Sequence, residues 1–252
     1  MSESTEGAAE NRGRGIYLLP NLFTLTALFA GFYSIVAAMK GRFELAAIAI
    51  FIAMILDTLD GRVARLTNTQ TNFGAELDSL SDMVSFGLAP ALLSYSWSLN
   101  ALGKLGWLAA FIFTATVALR LARFNTRKST DKRYFQGLAC PGGAGIIAAV
   151  VWLSEQQNLV GTSFSVPMAI ITVGAGLLMV SNFPYRSFKD LNLKDRISFI
   201  TMLLVALVLV LVAMDPPKVL FVTMIGYGLS GPAVRLWVML KKRLGLKQGR
   251  SR

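Results

Sequence analysis

Between Asp57 and Asp82 the chain reads DTLDGRVARLTNTQTNFGAELDSLSD. This stretch holds four aspartates, at 57, 60, 78 and 82, of the 14 acidic residues in the protein. Asp57 and Asp60 are three positions apart and Asp78 and Asp82 four apart, spacings that put each pair on one face of a helix. The intervening LTNTQTNFG (66–74) is polar and ends in glycine, which reads as a turn. Two helices joined by that turn would present two carboxylate pairs to each other. Carboxylates held so close repel unless a cation neutralises them. Oxygen-only donors select hard divalent ions such as Mg²⁺, Mn²⁺ or Ca²⁺. The chain has no histidine and one cysteine, which argues against zinc, haem and iron–sulfur chemistry and leaves a carboxylate as the general base near neutral pH, with lysine a poor second choice. The pattern reads as a two-metal centre built from Asp57, Asp60, Asp78 and Asp82.

The neighbours of these aspartates specify what the metals would hold. Gly61 follows Asp60 directly and removes a side chain, so a ligand phosphate can come close. Arg65 lies one helical turn further on and suits a phosphate oxygen. Thr71 offers a hydroxyl and Gly74 open space. Metals, arginine and glycine together describe a diphosphate site.

The elements that must position these groups are apolar. Hydrophobic residues make up 54% of the 252 and charged residues only 15%. The apolar residues come in blocks, near 20–39, 43–61, 79–99, 105–123, 138–154, 164–183, 197–214 and 218–239, each close to the length of a membrane span. The fold class is therefore all-α, a polytopic bundle of about eight transmembrane helices, or six or seven if the shortest blocks do not cross. With both termini in the cytoplasm, 21 of the 25 Lys and Arg residues fall on the cytoplasmic side. Only Lys40, Arg42, Lys104 and Lys218 fall outside. Residues 1–15 read as a polar cytoplasmic tail, 16–240 as one membrane domain and 241–252 as a basic tail. The first eleven residues read as a tail and not as a secretory signal, because they lack a basic start and an A-x-A site. The net charge of +11 suits the anionic lipid heads of an inner leaflet better than nucleic acid, because it is distributed among loops.

The pattern Asp57-x2-Asp60-Gly61-x2-Ala64-Arg65-x8-Gly74-x3-Asp78-x3-Asp82 resembles, at every specified position, the signature of the CDP-alcohol phosphotransferase family. The resemblance implies that Asp57, Asp60 and Asp78 bind the metals, while Asp82 both approaches them and acts as base. It implies that Gly61 and Arg65 contact the CDP part of the donor, with Thr71 beside them. The segment PNLFT (20–24) is similar to a donor-contacting segment of the family, which adds Asn21 and Thr24.

Family members differ in the alcohol that accepts. ALRLARFNT (118–126), YFQGLACPGGAG (134–145), LMVSNFPYRSFKDL (178–191) and YGLSGP (227–232) resemble the membrane-embedded bacterial phosphatidylserine synthases, from about residue 16 to 240. Those proteins often carry GLPxPxA where this chain has GLACPGGA (137–144), a departure that does not touch the aspartate stretch itself. The resemblance implies CDP-diacylglycerol and L-serine as substrates, a homodimer, and a bacterial inner-membrane enzyme with a cytoplasmic active site. Cations for the serine carboxylate would be Arg120, Arg123 and Lys189, with Asn125, Ser181 and Tyr185 as acceptors for its ammonium. Glycerol 3-phosphate or an inositol phosphate as acceptor is the nearest alternative. A cation transporter is the alternative of a different class, but transport favours acidic groups at mid-membrane, whereas these stand at the ends of apolar blocks.

Overall fold

The computed structural model describes residues 6–126 apart from 68 and 70, then 134–186, 207 and 210–243. Helix α1 (Glu6–Met39) and α2 (Phe43–Leu66) form an antiparallel hairpin. α1 opens inside the segment whose composition reads as a tail. The turn between the helices is tight. Gly41 takes φ +71°, and Arg42 N–H reaches back to Ala37 O at 2.9 Å. Ala27, Ala30, Ala37 and Ala38 on α1 and Ala46, Ala47, Ala49 and Ala53 on α2 are all buried. Small residues let helix backbones approach closely where lipid supplies no hydrophobic drive. Ser34 fastens the pair by donating to Ala46 O at 2.8 Å.

Thr71 caps the next rod by accepting from Gly74 N–H at 3.0 Å. The rod starts as α3 (Asn72–Asp82), widens into a π-helical turn (Met83–Leu88) and continues as α4 (Ala89–Trp97). π-helical turns recur at functional sites, and this one begins immediately after Asp82. α5 (Lys104–Thr126) follows, then α6 (Cys140–Gln156), α7 (Ser165–Val180) and α8 (Pro216–Arg243). Twelve of the seventeen residues of α6 are buried, so it is the central post against which α2 and α8 pack rather than a lipid-facing span.

Among the described residues, four helical segments are long and apolar enough to cross a membrane: Pro20–Met39, Lys104–Thr126, Gly161–Val180 and Pro216–Lys241. α2 is long enough but carries Glu44, Asp57, Asp60, Arg62 and Arg65, and α6 has only 17 residues. The described helices therefore coincide with seven of the eight apolar blocks, without each block qualifying as a span. The remaining block, 197–214, lies mostly outside the described residues. Exposed Leu22, Leu25, Phe29 and Phe32 on α1 form an apolar outer face, as a helix in lipid presents.

Among the described residues, one feature departs from an all-α arrangement. β1 (Tyr134–Gln136) and β2 (Pro184–Arg186) pair antiparallel, with Phe135 opposite Tyr185. Gly137 ends β1 at φ +83°, and a Cβ there would collide with Met179 O. Strand pairs this short carry little periodicity, so the apolar pattern gives no sign of them.

Candidate functional site

Three consecutive helices build the site. α2 contributes Asp57, Asp60, Gly61 and Arg65, α3 contributes Gly74, Asp78 and Asp82, and α1 crosses both with Asn21 and Thr24. Asp57, Asp60 and Asp78 each offer a carboxylate oxygen within 4.8 Å of the others. The Asp82 carboxyl lies within hydrogen-bonding reach of that of Asp57. All four predicted aspartates thus converge across the turn.

Asp60 is 5% exposed, while the other three are half-buried. A buried carboxylate needs a donor. Thr24, itself 4% exposed, supplies one: its Oγ1 donates to Asp60 Oδ2 at 2.8 Å. The same oxygen stands 3.1 Å from Pro20 O within α1. The donor set is therefore oxygen throughout, partly desolvated, and more negative than Thr24 can compensate. These residues fit hard divalent cations.

A cavity of about 220 Å³ opens beside Asp60 and Asp78, and all five residues expected to hold the donor line it: Asn21, Thr24, Gly61, Arg65 and Thr71. The two motif glycines do different work here. A Cβ on Gly61 would meet only the Arg65 guanidinium, at 3.9 Å, so its missing side chain leaves open space for a ligand. A Cβ on Gly74 would come within 3.2 Å of both Asn21 Oδ1 and Thr71 Oγ1, so this glycine makes room for the protein's own polar groups. Capping α3 uses an acceptor lone pair of Thr71 and leaves its hydroxyl hydrogen to donate elsewhere.

Thr69 also lines the cavity and was not singled out from the sequence. It is 7% exposed, donates its N–H to Ala64 O at 3.1 Å, and pairs its hydroxyl with Thr67 at 2.7 Å. Nothing in a polar turn with three alternating threonines distinguishes the inward one.

The acceptor candidates divide into two groups. Arg120, Arg123 and Asn125 occupy the last turns of α5. Arg120 donates from Nη1 to Cys140 Sγ at 3.1 Å, and its buried Nε–H has no partner among the described residues. Arg123 donates to Asn182 Oδ1 at 3.1 Å, and Asn125 donates to Ser79 Oγ at 3.0 Å, one residue past Asp78. These bonds draw the end of α5 against α3, α6 and the turn after α7. Cys140 is a neighbour of Arg120 that no spacing in the sequence reveals. Ser181 and Tyr185, by contrast, are bonded to the backbone. Ser181 donates to Leu178 O at 2.7 Å. Tyr185 is 1% exposed and donates to Gly228 O at 2.9 Å. Burial, with Tyr227 beside it, pushes its phenol up to about 12. Lys189 lies outside the described residues.

Residues 17–225 match the CDP-alcohol phosphatidyltransferase family, a stretch that contains every residue of the aspartate centre and the cavity. The chain belongs to this family. Within it, the chain is similar to curated proteins named CDP-diacylglycerol–serine O-phosphatidyltransferase. The protein of that name from Helicobacter pylori is 38% identical over 228 residues, covering 90% of this chain and 94% of the relative. That from Methanocaldococcus jannaschii is 35% identical over 70% of this chain and 78% of its own length. That from Bacillus subtilis is 34% identical over 68% of this chain and 91% of its own. As a member of the CDP-alcohol phosphatidyltransferases, the chain has its four motif aspartates gathered at one place, beside a cavity that accounts for both motif glycines.

Proposed function

We propose that the protein is an integral-membrane CDP-diacylglycerol–serine O-phosphatidyltransferase, giving phosphatidylserine and CMP. The observation that carries this is the cavity beside Asp60 and Asp78, lined by Asn21, Thr24, Gly61, Arg65 and Thr71. The names of the relatives, matched along most of their length, support serine as acceptor.

Asp57, Asp60, Asp78 and Asp82 would hold the divalent ions, two of them, with Mg²⁺ or Mn²⁺ favoured over Ca²⁺. Bound there, the ions would neutralise diphosphate charge in the manner of a Lewis acid. The chain's own residues perform the remaining tasks. Gly61 admits the diphosphate and Arg65 pairs with its oxygens. Asn21, Thr24 and Thr71 orient the CDP portion while the acyl chains stay in lipid. Asp82 takes the proton of the serine hydroxyl, whose oxygen forms a bond to the diacylglycerol-linked phosphorus. The bond from that phosphorus to the bridging oxygen breaks, and CMP departs with the electron pair. Positioning and fixed charge supply most of the rate. Arg120 and Arg123 would receive the serine carboxylate, with Asn125 beside them. Ser181 and Lys189 complete that proposal on the resemblance alone, while Tyr185, which the resemblance also implies, is buried and bonded to Gly228 O.

Further points rest on sequence and resemblance. We infer about eight spans, or six or seven if the shortest blocks do not cross, in one domain over 16–240, with tails at 1–15 and 241–252, and a homodimer. Both termini and the active site would face the cytoplasm at a bacterial inner membrane.

The deciding experiment is CMP release from CDP-diacylglycerol by purified protein, with serine, glycerol 3-phosphate and an inositol phosphate offered separately, before and after chelation. Serine-dependent, chelator-sensitive release is expected. Release with glycerol 3-phosphate but not serine would leave only the family reaction, and release untouched by chelation would remove the metals.

A further inference from the structure

The serines at 81 and 85 have no part in the chemistry above, yet they occupy the seam that sets it. Both are buried, at 3% and 1% exposure. Four residues apart, they lie on one face of the α3 rod, on either side of the start of its π-helical turn. Both donate across to the backbone of α1. Ser81 Oγ reaches Thr24 O at 3.2 Å, and Ser85 Oγ reaches Ala27 O at 3.1 Å. A helix carbonyl keeps a second lone pair for such a bond. One turn from the Ser85 bond, α1 carries Gly31. A Cβ there would lie 2.7 Å from Ser85 Cα and collide with Ser85 Oγ, so the two backbones touch.

These contacts bear on the aspartates because of what shares their elements. Thr24 lends its carbonyl to Ser81 and its hydroxyl to Asp60. Ser81 sits between Asp78 and Asp82 on the same two turns. A chain of bonds therefore runs from Asp60 on α2 through Thr24 on α1 to Ser81 on α3, three helices tied through one residue. α2 and α3 are joined here also by the polar turn and by the approach of the Asp82 carboxyl to Asp57.

We propose that Ser81 and Ser85 are positioning residues that lock α3 in register on α1 and so hold Asp78 and Asp82 at metal-binding separation from Asp57 and Asp60. This rests on the reading that the aspartates bind divalent ions. Losing one bond leaves the helices packed but lets α3 slide or rotate, which loosens the metal centre before it loosens the fold.

The test is Mn²⁺ binding to the detergent-solubilised full-length protein, followed by electron paramagnetic resonance, together with the Mn²⁺ concentration for half-maximal CMP release. Ser81→Ala and Ser85→Ala should each raise both values by about 3- to 20-fold, the range an interhelical hydrogen bond in a membrane protein supports. Ser81→Thr, which keeps the hydroxyl, should stay near wild type. Gly31→Ala parts the helices with both serines intact and should weaken Mn²⁺ binding as the serine variants do. Ser34→Ala is the control. It removes a buried serine-to-carbonyl bond of the same kind between α1 and α2, and should leave Mn²⁺ binding unchanged. Wild-type Mn²⁺ binding in the alanine variants, or an equal loss in Ser34→Ala, overturns the positioning role while leaving the metal site standing. Absence of Mn²⁺ binding by the wild-type protein would instead overturn the metal site, and the positioning role with it.

Discussion

Thr24 of α1 and Asp60 of α2 are 36 residues apart in the chain and 2.8 Å apart in the structure, hydroxyl to carboxylate. The bond holds the carboxylate of Asp60, the least exposed of the four aspartates, which offers an oxygen within 4.8 Å of those of Asp57 and Asp78. α1 thereby becomes part of the acidic centre without contributing an acid. Replacing Thr24 by valine keeps the shape and removes the donor. A hydrogen bond to a charged group is worth about 1.5–3 kcal/mol, so the apparent affinity for donor and metal should fall by about 10- to 150-fold. Thr24→Ser should recover most of it. Equal activity for Thr24→Val and wild type would show that Asp60 needs no partner from α1.

Asp82 and Asp60 should fail in different ways. Asp82→Asn keeps the size of the side chain and removes its basicity, so turnover should fall by about 10²-fold or more, while donor binding largely survives. Asp60→Asn removes a metal ligand beside the cavity and should weaken metal-dependent donor binding first. The measurement is kcat and donor KM for both variants across a Mg²⁺ series. Near-normal turnover in Asp82→Asn would take the base away from this residue.

How much of this was legible in the sequence follows from which distances are local. The two carboxylate pairs are fixed by helical periodicity, so spacings of three and four residues suffice to place each pair on a face. That the pairs meet follows from the short turn at 66–74, and the negative charge they share says only that a cation must neutralise them there. Gly61 and Arg65 were legible for the same reason, lying one and five residues past Asp60 on one helix. The contributions of α1 were not legible from spacing. Asn21 and Thr24 came from resemblance, and the depth at which α1 crosses α3 depends on Gly31 and Ser85 meeting. A glycine in an apolar helix looks the same whether it faces lipid or another backbone. The ribbon of β1 and β2 was hidden because three residues show no alternation. On the acceptor side, residue type does not show burial. Tyr185 looks like a polar group available to a ligand, but it is 1% exposed and bonded to Gly228 O, whereas Ser181 donates its hydrogen to Leu178 O and keeps lone pairs that can accept.

Tyr185 allows a direct check of that distinction. Its hydroxyl donates to Gly228 O at 2.9 Å, and its ring lies so close that a Cβ on Gly231 would collide with it. Tyr185→Phe should lower the melting temperature in detergent, losing about 0.5–1.5 kcal/mol for the bond. The KM for serine should stay where it was. A raised serine KM at unchanged stability would return Tyr185 to the acceptor site.

Orientation is open to labelling. The basic residues of 120–133 and of the C-terminal segment are expected on the cytoplasmic side. In a background lacking Cys140, single cysteines at 126–133 should be shielded from an impermeant thiol reagent in intact cells, and those at 156–163 should react. The opposite pattern would invert the protein and place its active site outside.

Acceptor choice tests the finest part of the proposal, and Arg120 is the residue on which it turns. Serine brings one carboxylate and one ammonium, whereas glycerol 3-phosphate brings a phosphate, and a cation attracts either anion. Discrimination must therefore come from the groups around the cation. Arg120 spends one nitrogen on Cys140 Sγ, a weak acceptor, and keeps its buried Nε–H unpaired among the described residues. A buried N–H of a guanidinium is costly to leave unpaired, and a carboxylate would satisfy it. Arg120→Ala should raise the KM for serine by about 10- to 150-fold, the equivalent of one charge-assisted bond, and change the KM for CDP-diacylglycerol much less. Arg120→Lys keeps the charge but not the planar fork, and should recover only part of the loss. Asn125→Ala would release Ser79 as well as remove an acceptor, so both KM values should rise together. If Arg120→Ala moved both KM values equally, the arginine would belong to the donor site or to the packing of α5 on α6, and the serine carboxylate would need another partner.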